Sequence, residues 1–289
     1  MYIRDILDSK PVTVSCELFP PKKHLGFANA EQVVDATVAL EPDFISVTYG
    51  ANGGAYKNAI RMAEYIQQSG NNALAHLTCL CATHEQVADV VTQMKEAQIE
   101  NVLALRGDYV QGVEYPMESN YHYAVDLVRE LKSQGGLCIG AACYPEGHIE
   151  SKNRKDDIRF LKEKVDAGCD FLTTQMFFDN NLLYQFLYRI REAGITVPVL
   201  AGIMPVTNKA QIIRIAAMSG ALLPPRFANM IDKFGDNPAA MQQAGVAYAT
   251  EQVIDLIANG IRGVHIYTMN KPHIAEAIMR NIACIVRAE

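Results

Sequence analysis

The sequence predicts an α/β protein folded as a closed (β/α)8 TIM barrel, and three observations support this fold class. The chain has 289 residues, about twice the ~150 residues of an ordinary domain, so it holds two such domains or one large one. Apolar runs of strand length alternate with longer helical patterns along the whole sequence. No linker rich in Gly, Ser or Pro divides the chain, so a single domain over residues 1–289 is predicted.

Eight apolar runs mark the predicted strands in order. They cover 12–20, 44–50, 73–79, 101–107, 137–145, 171–178, 197–205 and 263–270. The helical candidates carry apolar residues at i, i+3 and i+4, which places those residues on one helix face. They cover 28–40, 85–97, 121–134, 156–167, 182–193, 209–218 and 274–286. Eight strands with about as many helices in under ~300 residues fit one barrel better than two half-sized domains.

One segment interrupts the alternation, between the seventh and eighth strands. There, residues 222–225 read Leu-Leu-Pro-Pro and open extra helical sequence that runs to about Ala258, which we expect to cover one end of the barrel. A doubly wound open sheet is the alternative fold, and its first strand should lead into a G-x-G-x-x-G phosphate loop. Here that position reads Glu-Leu-Phe-Pro-Pro at 17–21, which makes a dinucleotide-binding sheet a poor fit.

Composition and charge exclude several classes of protein. With 49% hydrophobic and 20% charged residues, the chain is neither disordered nor collagenous. A net charge of −6 gives no overall attraction for nucleic acid or an anionic membrane. No stretch reaches the ~18 apolar residues of a membrane helix, and Asp5 and Asp8 interrupt any signal peptide. We therefore expect a cytoplasmic protein without membrane insertion.

The cysteines indicate reduced thiols and no metal. There are seven, an odd number, and most lie in apolar runs, where a reduced cysteine behaves as a small hydrophobic residue. Cys79 and Cys81 form a single C-x-C without a second pair at zinc spacing. The sequence therefore predicts no metal site.

Polar side chains collect at the predicted carboxyl ends of the strands, where (β/α)8 barrels carry their functional groups. They are Glu17, Thr48, Tyr49, His76, Thr78, Arg106, Gly107, Asp108, Tyr144, His148, Gln175, Tyr267, Asn270 and Lys271. Hydrogen-bonding groups, aromatic rings and two carboxylates without metal-ligand spacing indicate an organic ligand or cofactor. They do not by themselves name a reaction.

Two of these residues are carboxylic acids. Glu17 stands between Cys16 and Leu18, and desolvation there favours its protonated form, which suits a general acid. The alternative is a Glu paired with an Arg or Lys. Asp108 follows Arg106 and Gly107, and the glycine permits close approach of a ligand to the backbone. An Arg–Asp brace is the alternative.

The remaining polar positions each have two interpretations. Gln175 lies where a barrel interior usually takes Val or Ile, so its amide matches the edge of a heterocycle or makes an internal contact. His76, taken alone, is more often a satisfied core residue, and the two tyrosines at 49 and 144 are more often packing residues than ligand contacts. The basic run 152–155 is a solvated surface or a phosphate contact at a helix N-terminus.

Taken together, ordered motifs along the chain resemble those of the methylenetetrahydrofolate reductase family. They are SCELFPPK at 15–22, SVTYGAN at 46–52, HLTC at 76–79, ALRGD at 104–108, ACYPE at 142–146, TQMFFD at 174–179, GIMPVTN at 202–208 and YTMN at 267–270. The resemblance covers nearly the whole chain. It implies a flavin-dependent barrel that reduces 5,10-methylenetetrahydrofolate to 5-methyltetrahydrofolate, with FAD re-reduced by NADH or NADPH.

The resemblance also implies roles for individual residues. Glu17 would be the general acid that opens the methylene bridge to an iminium, which accepts hydride from the reduced flavin; Asp108 would lie near flavin and pterin, and Gln175, Tyr267 and Lys271 would bind the folate. The implied flavin contacts, which include Asp108, are Thr48, Tyr49, His76, Leu105, Arg106, Gly107, Tyr123, Ala124, Tyr144, His148, Asp157 and Lys164. One flavin face serving both reactants in turn implies ping-pong kinetics.

Three positions depart from the family pattern. Phe160 stands where Asn is common, Glu163 where Arg is common, and Ile215 where an aromatic residue can cover the ligand. The first two change the adenine and diphosphate contacts, so FMN is an alternative to FAD. The chain ends at Glu289, so we expect the catalytic core without a regulatory domain.

Other expectations concern electron donors and partners. The donor is NADH, NADPH or an electron-donating partner protein, and we expect a homo-oligomer or a complex subunit. Two alternative functions remain open: a flavin-bearing electron-transfer subunit that needs a partner chain, and a pterin-dependent methyltransferase barrel, which would need no flavin.

Overall fold

Eight parallel strands close into a barrel in sequence order in the computed structural model, which describes residues 1–21, 27–49, 56–80, 82–108 and 121–286. The strands are β1 (Thr13–Leu18), β2 (Phe44–Val47), β3 (Ala73–Thr78), β4 (Asn101–Leu105), β5 (Cys138–Cys143), β6 (Phe171–Thr174), β7 (Val199–Ile203) and β8 (Gly263–Tyr267). The predicted (β/α)8 fold is confirmed. The single domain over 1–289 stays a prediction.

Helices surround the barrel, and most of them come directly after a strand in the chain. They are α1 (Ile3–Ser9), α2 (Phe27–Val38), α3 (Tyr56–Gln68), α4 (His84–Glu96), α5 (Ala124–Gln134), α6 (Arg154–Asp166), α7 (Asn180–Glu192), α8 (Lys209–Ser219), α9 (Pro225–Phe234), α10 (Pro238–Ala258) and α11 (Pro272–Val286). No helix in these described ranges is long and apolar enough to cross a bilayer.

The structure differs from the predicted elements in three places. Helices α1 and α3 are additional to the predicted set. The strands end earlier than predicted, so that Phe19 and Tyr144, for example, lie in loops after β1 and β5. Helix α5 begins at Ala124 rather than residue 121, because the Asp126 carboxylate accepts hydrogen bonds from the backbone N–H groups of His122 and Tyr123 and so caps the first turn.

Helix α1 closes the amino-terminal end of the barrel. Its buried Ile3, Ile6 and Leu7 pack against the apolar residues that start the strands. Those residues are Phe44, Leu74, Leu103, Cys138, Phe171 and Leu200. This layer leaves the opposite, carboxyl-terminal end open, and the loops that follow the strands gather around that mouth.

Asn101, the first residue of β4, ties this closing helix to the barrel. Its buried side-chain oxygen accepts from the Ile3 backbone N–H at 2.8 Å, and its Nδ2 donates to the Met1 carbonyl at 3.1 Å and the Ala73 carbonyl at 3.3 Å. We expect Asn101→Ala to lower the free energy of unfolding by about 2 kcal/mol, because buried backbone groups lose their partners. Urea unfolding would measure this. The exposed Gln242→Ala serves as control, and an equal loss in both variants would contradict the prediction.

The segment between β7 and β8 forms α9 and α10, and the expectation of extra helices at one end is confirmed. Their apolar residues join a separate cluster with Met176 and Phe178, which follow β6. The rings of Phe178 and Phe227 stack with centroids 4.2 Å apart. Hydrogen bonds from the Tyr248 hydroxyl to the Phe178 carbonyl (2.6 Å) and from Gln252 Nε2 to the Phe177 carbonyl (2.9 Å) fix α10 against the loop after β6.

Candidate active site

Glu17 lies inside the barrel near the mouth. The residue is 7% exposed and is paired in register with Tyr267 of β8 on one side and Ser46 of β2 on the other. Its Oε2 lies 3.6 Å from Nε2 of His76 and 3.6 Å from Nε2 of His265. Within the described ranges no Lys or Arg forms a salt bridge with this carboxylate. The Arg or Lys partner weighed in the sequence analysis is therefore not what surrounds Glu17.

His76 is buried on β3 and keeps an unpaired nitrogen. Desolvation, with a smaller contribution from neighbouring His265, lowers the pKa of His76 to about 4, and the Glu17 carboxylate opposes this. The ring is therefore neutral at pH 7, so its contact with Glu17 is not an ion pair. At 3.6 Å the contact is also longer than a hydrogen bond, and Nε2 has no partner among the described residues. His76 is a core residue whose hydrogen bonding is incomplete.

His265, on β8, is a site residue absent from the sequence-based set. Its Nδ1 lies 2.7 Å from the Ser15 hydroxyl, and its Nε2 lies 3.2 Å from the Ser46 hydroxyl. The ring also meets the Tyr267 ring edge-on, with centroids 5.4 Å apart. These contacts fix the imidazole beside Glu17. The sequence did contain a signal for His265, because residues two apart in a strand lie on the same face and Tyr267 was already a candidate.

Arg106, at the end of β4, is paired with a residue that the sequence analysis did not select. Its Nη1 and Nη2 donate to both carboxylate oxygens of Glu150 at 2.5 and 2.8 Å, a bidentate arrangement. Next to it, Gly107 has φ +90°, and a Cβ there would lie 3.2 Å from Cβ of Thr78. The backbone at the end of β4 therefore needs glycine, as expected for a close approach.

Asp108 and Tyr144 lie near each other at the same end of the barrel. Asp108 is exposed. Desolvation raises the pKa of Tyr144 to about 12, and the Asp108 carboxylate adds to the rise. The Tyr144 ring meets His148 edge-on with centroids 4.7 Å apart, and desolvation lowers the pKa of His148. This side of the mouth thus combines a carboxyl group, a phenol and an imidazole whose pKa is lowered by desolvation.

Helix α6 brings a cation back to β5. Nζ of Lys164 donates to the Ala142 carbonyl at 2.5 Å, and desolvation lowers the pKa of Lys164. Asp157 accepts from the Ser151 hydroxyl at 2.8 Å. Both residues lie on the side of the helix that faces the loop after β5. The basic run 152–155, which leads into this helix, is exposed, and its Asn153 caps the helix by accepting from the Asp156 N–H.

The folate-side candidates line the opposite arc of the mouth. Gln175 follows β6, and its Oε1 accepts from the Met176 N–H at 2.9 Å. The Tyr267 hydroxyl donates to the Thr174 carbonyl at 2.6 Å, and burial raises the pKa of Tyr267 well above its usual value. Nζ of Lys271 donates to the Thr207 hydroxyl at 2.9 Å. Tyr267 therefore offers its ring rather than a free hydroxyl.

The other candidates lie at the same end but differ in exposure. Thr48 and Tyr49 are half-buried beyond β2, and the Thr48 N–H donates to the Leu18 carbonyl at 3.0 Å. Leu105 ends β4, and Ala124 begins α5. Tyr123 is 63% exposed. Cys81 and the motif residues Lys22 and 50–52 lie outside the described residues. Among the residues that the structure describes, no cluster of His, Cys, Asp or Glu suits a metal ion.

The fold and site define a (β/α)8-barrel protein whose mouth surrounds a buried carboxylic acid with hydrogen-bonding and aromatic groups suited to flat organic ligands. A sequence model of the family described as methylenetetrahydrofolate reductase matches residues 2–283. The chain belongs to that family and is an oxidoreductase.

Known relatives agree with this assignment. The chain is 34% identical to a 5,10-methylenetetrahydrofolate reductase of Escherichia coli over 94% of its length and 90% of the relative's. It is 31% identical to methylenetetrahydrofolate reductase (NADH) 1 of Arabidopsis thaliana, of which it spans half the length (50%). A solved structure from Clostridium thermocellum, described as binding two copies of 5-methyl-5,6,7,8-tetrahydrofolic acid, has a TM-score of 0.66 at 13% identity, with 98% and 100% of the two chains covered. That likeness concerns the fold.

Proposed function

We propose that this chain reduces 5,10-methylenetetrahydrofolate to 5-methyltetrahydrofolate with a noncovalently bound flavin. The observation that carries the proposal is the Glu17 carboxyl, buried at the mouth between His76 and His265 in a member of this family. A buried carboxyl at the mouth of the barrel is placed where it can donate a proton to a bound substrate. The electron donor is NADH, NADPH or an electron-donating partner protein.

The residues at the ends of β2 to β5 fit a flavin. Gly107 has no side chain, which lets a ligand approach the backbone at the end of β4. The Nε2 of buried His76 has no partner among the described residues and needs a polar one. The proposed flavin contacts are Thr48, Tyr49, His76, Leu105, Arg106, Gly107, Asp108, Tyr123, Ala124, Tyr144, His148, Asp157 and Lys164. When bound, the flavin would transfer electrons from the donor to the folate. The donor and the folate would use the same face of the flavin, one after the other.

The chain's own residues then position the substrate and move the proton. Glu17 donates the proton that promotes opening of the methylene bridge to the reactive iminium. Gln175 would bind the folate through its Nε2 and through the remaining lone pair of its Oε1, which accepts one hydrogen bond from the Met176 N–H. Tyr267 and Lys271 would contact the folate, and Asp108 would contact both ligands. Holding both flat rings in register is the largest task left to the protein.

Anaerobic mixing tests this function. Purified oxidised protein is mixed with NADH or NADPH while flavin absorbance is followed, and methylenetetrahydrofolate is then added. We expect bleaching by one donor and reoxidation by the folate, with product formation showing ping-pong kinetics. Bleaching by dithionite but by neither nucleotide would indicate a partner-protein donor. A colourless protein that neither gains absorbance nor is thermally stabilised by added FAD or FMN would contradict the proposal.

Helix α6 predicts weak discrimination between FAD and FMN. Glu163 forms an ion pair with Arg159 at 2.9 Å, and the Arg159 guanidinium stacks on the half-exposed Phe160 ring at 4.3 Å. An anionic diphosphate gains no hydrogen bond from Glu163. We expect FAD to bind less than about 100-fold more tightly than FMN, roughly 2.7 kcal/mol. Equilibrium titration of the apoprotein measures both affinities.

A matched pair of variants locates the cause of this weak discrimination. Glu163→Gln removes the negative charge on α6 and should raise affinity for FAD more than for FMN. Glu96→Gln removes a charge from the exposed end of α4 and should change neither. A wild-type preference for FAD above 100-fold would mean that the adenylate contacts are intact.

A further inference from the structure

The loop after β8 holds the end of β1 through side chains, where the strand ladder itself stops. The last residue pair in register between β1 and β8 is Glu17 with Tyr267. Beyond it, the Thr268 hydroxyl donates to the Glu17 carbonyl at 2.7 Å. The Asn270 side chain forms two bonds with one residue, donating to the Phe19 carbonyl at 2.9 Å and accepting from the Phe19 N–H at 2.8 Å.

The pair of hydrogen bonds between the Asn270 side chain and the Phe19 backbone requires an amide side chain. Asn presents one donor and one acceptor side by side, as a backbone peptide group does, whereas Asp has no N–H to donate. The Asn270 backbone N–H also donates to the Thr268 hydroxyl at 3.1 Å. The Thr268 hydroxyl therefore donates its single proton to the Glu17 carbonyl and accepts a hydrogen bond from the Asn270 backbone N–H. The group of three residues Thr268, Asn270 and Phe19 is called the β1–β8 clamp below.

The backbone of this loop is held in an unfavourable conformation. Met269 and Asn270 have φ values of +53° and +55°, in the left-handed region that residues other than glycine rarely adopt. Such conformations persist only where surrounding contacts over-determine them, and they cluster at functional sites. Thr268 is 1% exposed, whereas Phe19 and Asn270 are half-buried, so the clamp extends from the barrel interior to the mouth.

We propose that Thr268 and Asn270 are positioning residues for the carboxyl group of Glu17. This inference rests on the proposed role of Glu17 as proton donor. The clamp holds the Glu17 carbonyl through Thr268 and the N–H and carbonyl groups of Phe19 through Asn270, so the backbone that carries the Glu17 side chain is anchored to the loop after β8. Small displacements of a reacting group cost large factors in rate, because the productive geometry is lost.

The test separates the two half-reactions. Thr268→Val keeps the shape of the side chain and removes its hydroxyl, so folate-driven flavin reoxidation should slow about 10-fold or more. Bleaching by the electron donor, flavin content and equilibrium binding of 5-methyltetrahydrofolate should stay within about threefold. Thr268→Ser should restore reoxidation to within about threefold of wild type. Asn270→Asp, an independent variant, should behave as Thr268→Val does.

Two controls distinguish positioning from structural support. Thr37→Val removes another buried hydroxyl that donates to a carbonyl, that of Val33 at 2.7 Å, and should leave both half-reactions unchanged. In a Glu17→Gln background, Thr268→Val should slow reoxidation no further, because the group it positions is gone. Equal slowing of both half-reactions, or full slowing in the Glu17→Gln background, would show that the clamp only supports the fold.

The outcomes also separate this inference from the proposed function. A slow Glu17→Gln enzyme combined with a fast Thr268→Val enzyme would overturn the positioning role alone. Near-wild-type reoxidation by Glu17→Gln would overturn the proton-donor role of Glu17 and the positioning role with it. A protein that binds no flavin would contradict the proposed function before any variant is compared.

Discussion

Replacing Glu17 by Gln should leave flavin reduction by the donor within about tenfold of wild type and slow folate-driven reoxidation by at least ~10²–10⁴-fold, the usual contribution of general acid catalysis. Electron transfer from a nicotinamide needs no acid on the folate, whereas opening the methylene bridge does. Gln keeps the size of the side chain but carries no acidic proton. Stopped-flow measurement of each half-reaction, starting from dithionite-reduced enzyme if the donor is a protein, gives the two rates separately.

Another carboxylate at the same end of the barrel provides the control for Glu17. Glu146 is half-buried and accepts from the Leu222 N–H at 2.9 Å, a bond that the amide oxygen of Gln can also accept. Burial raises the pKa of Glu146, so the two acids share a desolvated environment but not a position. Glu146→Gln should leave both half-reactions near wild type. If Glu17→Gln reoxidised with methylenetetrahydrofolate at the wild-type rate, Glu17 would be a structural residue, and Asp108 or a bound water would have to be the acid.

Adding one methyl group at Gly245 should cost about 2–4 kcal/mol of unfolding free energy, at the upper end of the range for overpacking. A Cβ at this position in α10 would lie 1.7 Å from the carbonyl oxygen of Val206. That oxygen belongs to the backbone, so the helix or the loop after β7 must move. Thermal unfolding of Gly245→Ala should show a melting temperature lower by about 3–7 °C.

Helix propensity makes this prediction specific to packing. Exchanging Gly for Ala in the middle of a helix normally stabilises it by about 1 kcal/mol. The reverse exchange at the exposed Ala247, two residues further along α10, should therefore cost about 1 kcal/mol. Gly245→Ala should be the more damaging of the two. If it raised the melting temperature instead, α10 and the loop after β7 would not be in the close contact described above.

Most of the barrel was predictable because its signal is local. A run of apolar residues defines a strand, and a 3.6-residue periodicity defines a helix, without reference to distant parts of the chain. Helix α1 escaped because seven residues are too few to establish a period. It exists as a helix because its apolar residues fill the open end of the barrel, which is a tertiary requirement.

The candidate site was predictable in its position and less so in its membership. Glu17, Arg106 and Gln175 could be selected because each follows or ends an apolar run. Glu150 could not be selected, because it lies in a loop without a periodic pattern and its partner Arg106 is 44 positions away in the sequence. The roles of the selected residues stay proposals that the half-reaction measurements test.

By itself, the sequence determined the number and order of the strands, the family and the end of the barrel at which the polar residues gather, since parallel strands place all their carboxyl ends together. Only the tertiary structure decided which of those residues meet. Closure of the barrel pairs β1 with β8, which brings His265 beside Glu17 across a sequence separation of 248 positions and aligns Thr268 with the Glu17 carbonyl. Register across a closed sheet depends on all eight strands at once, and no local pattern encodes it.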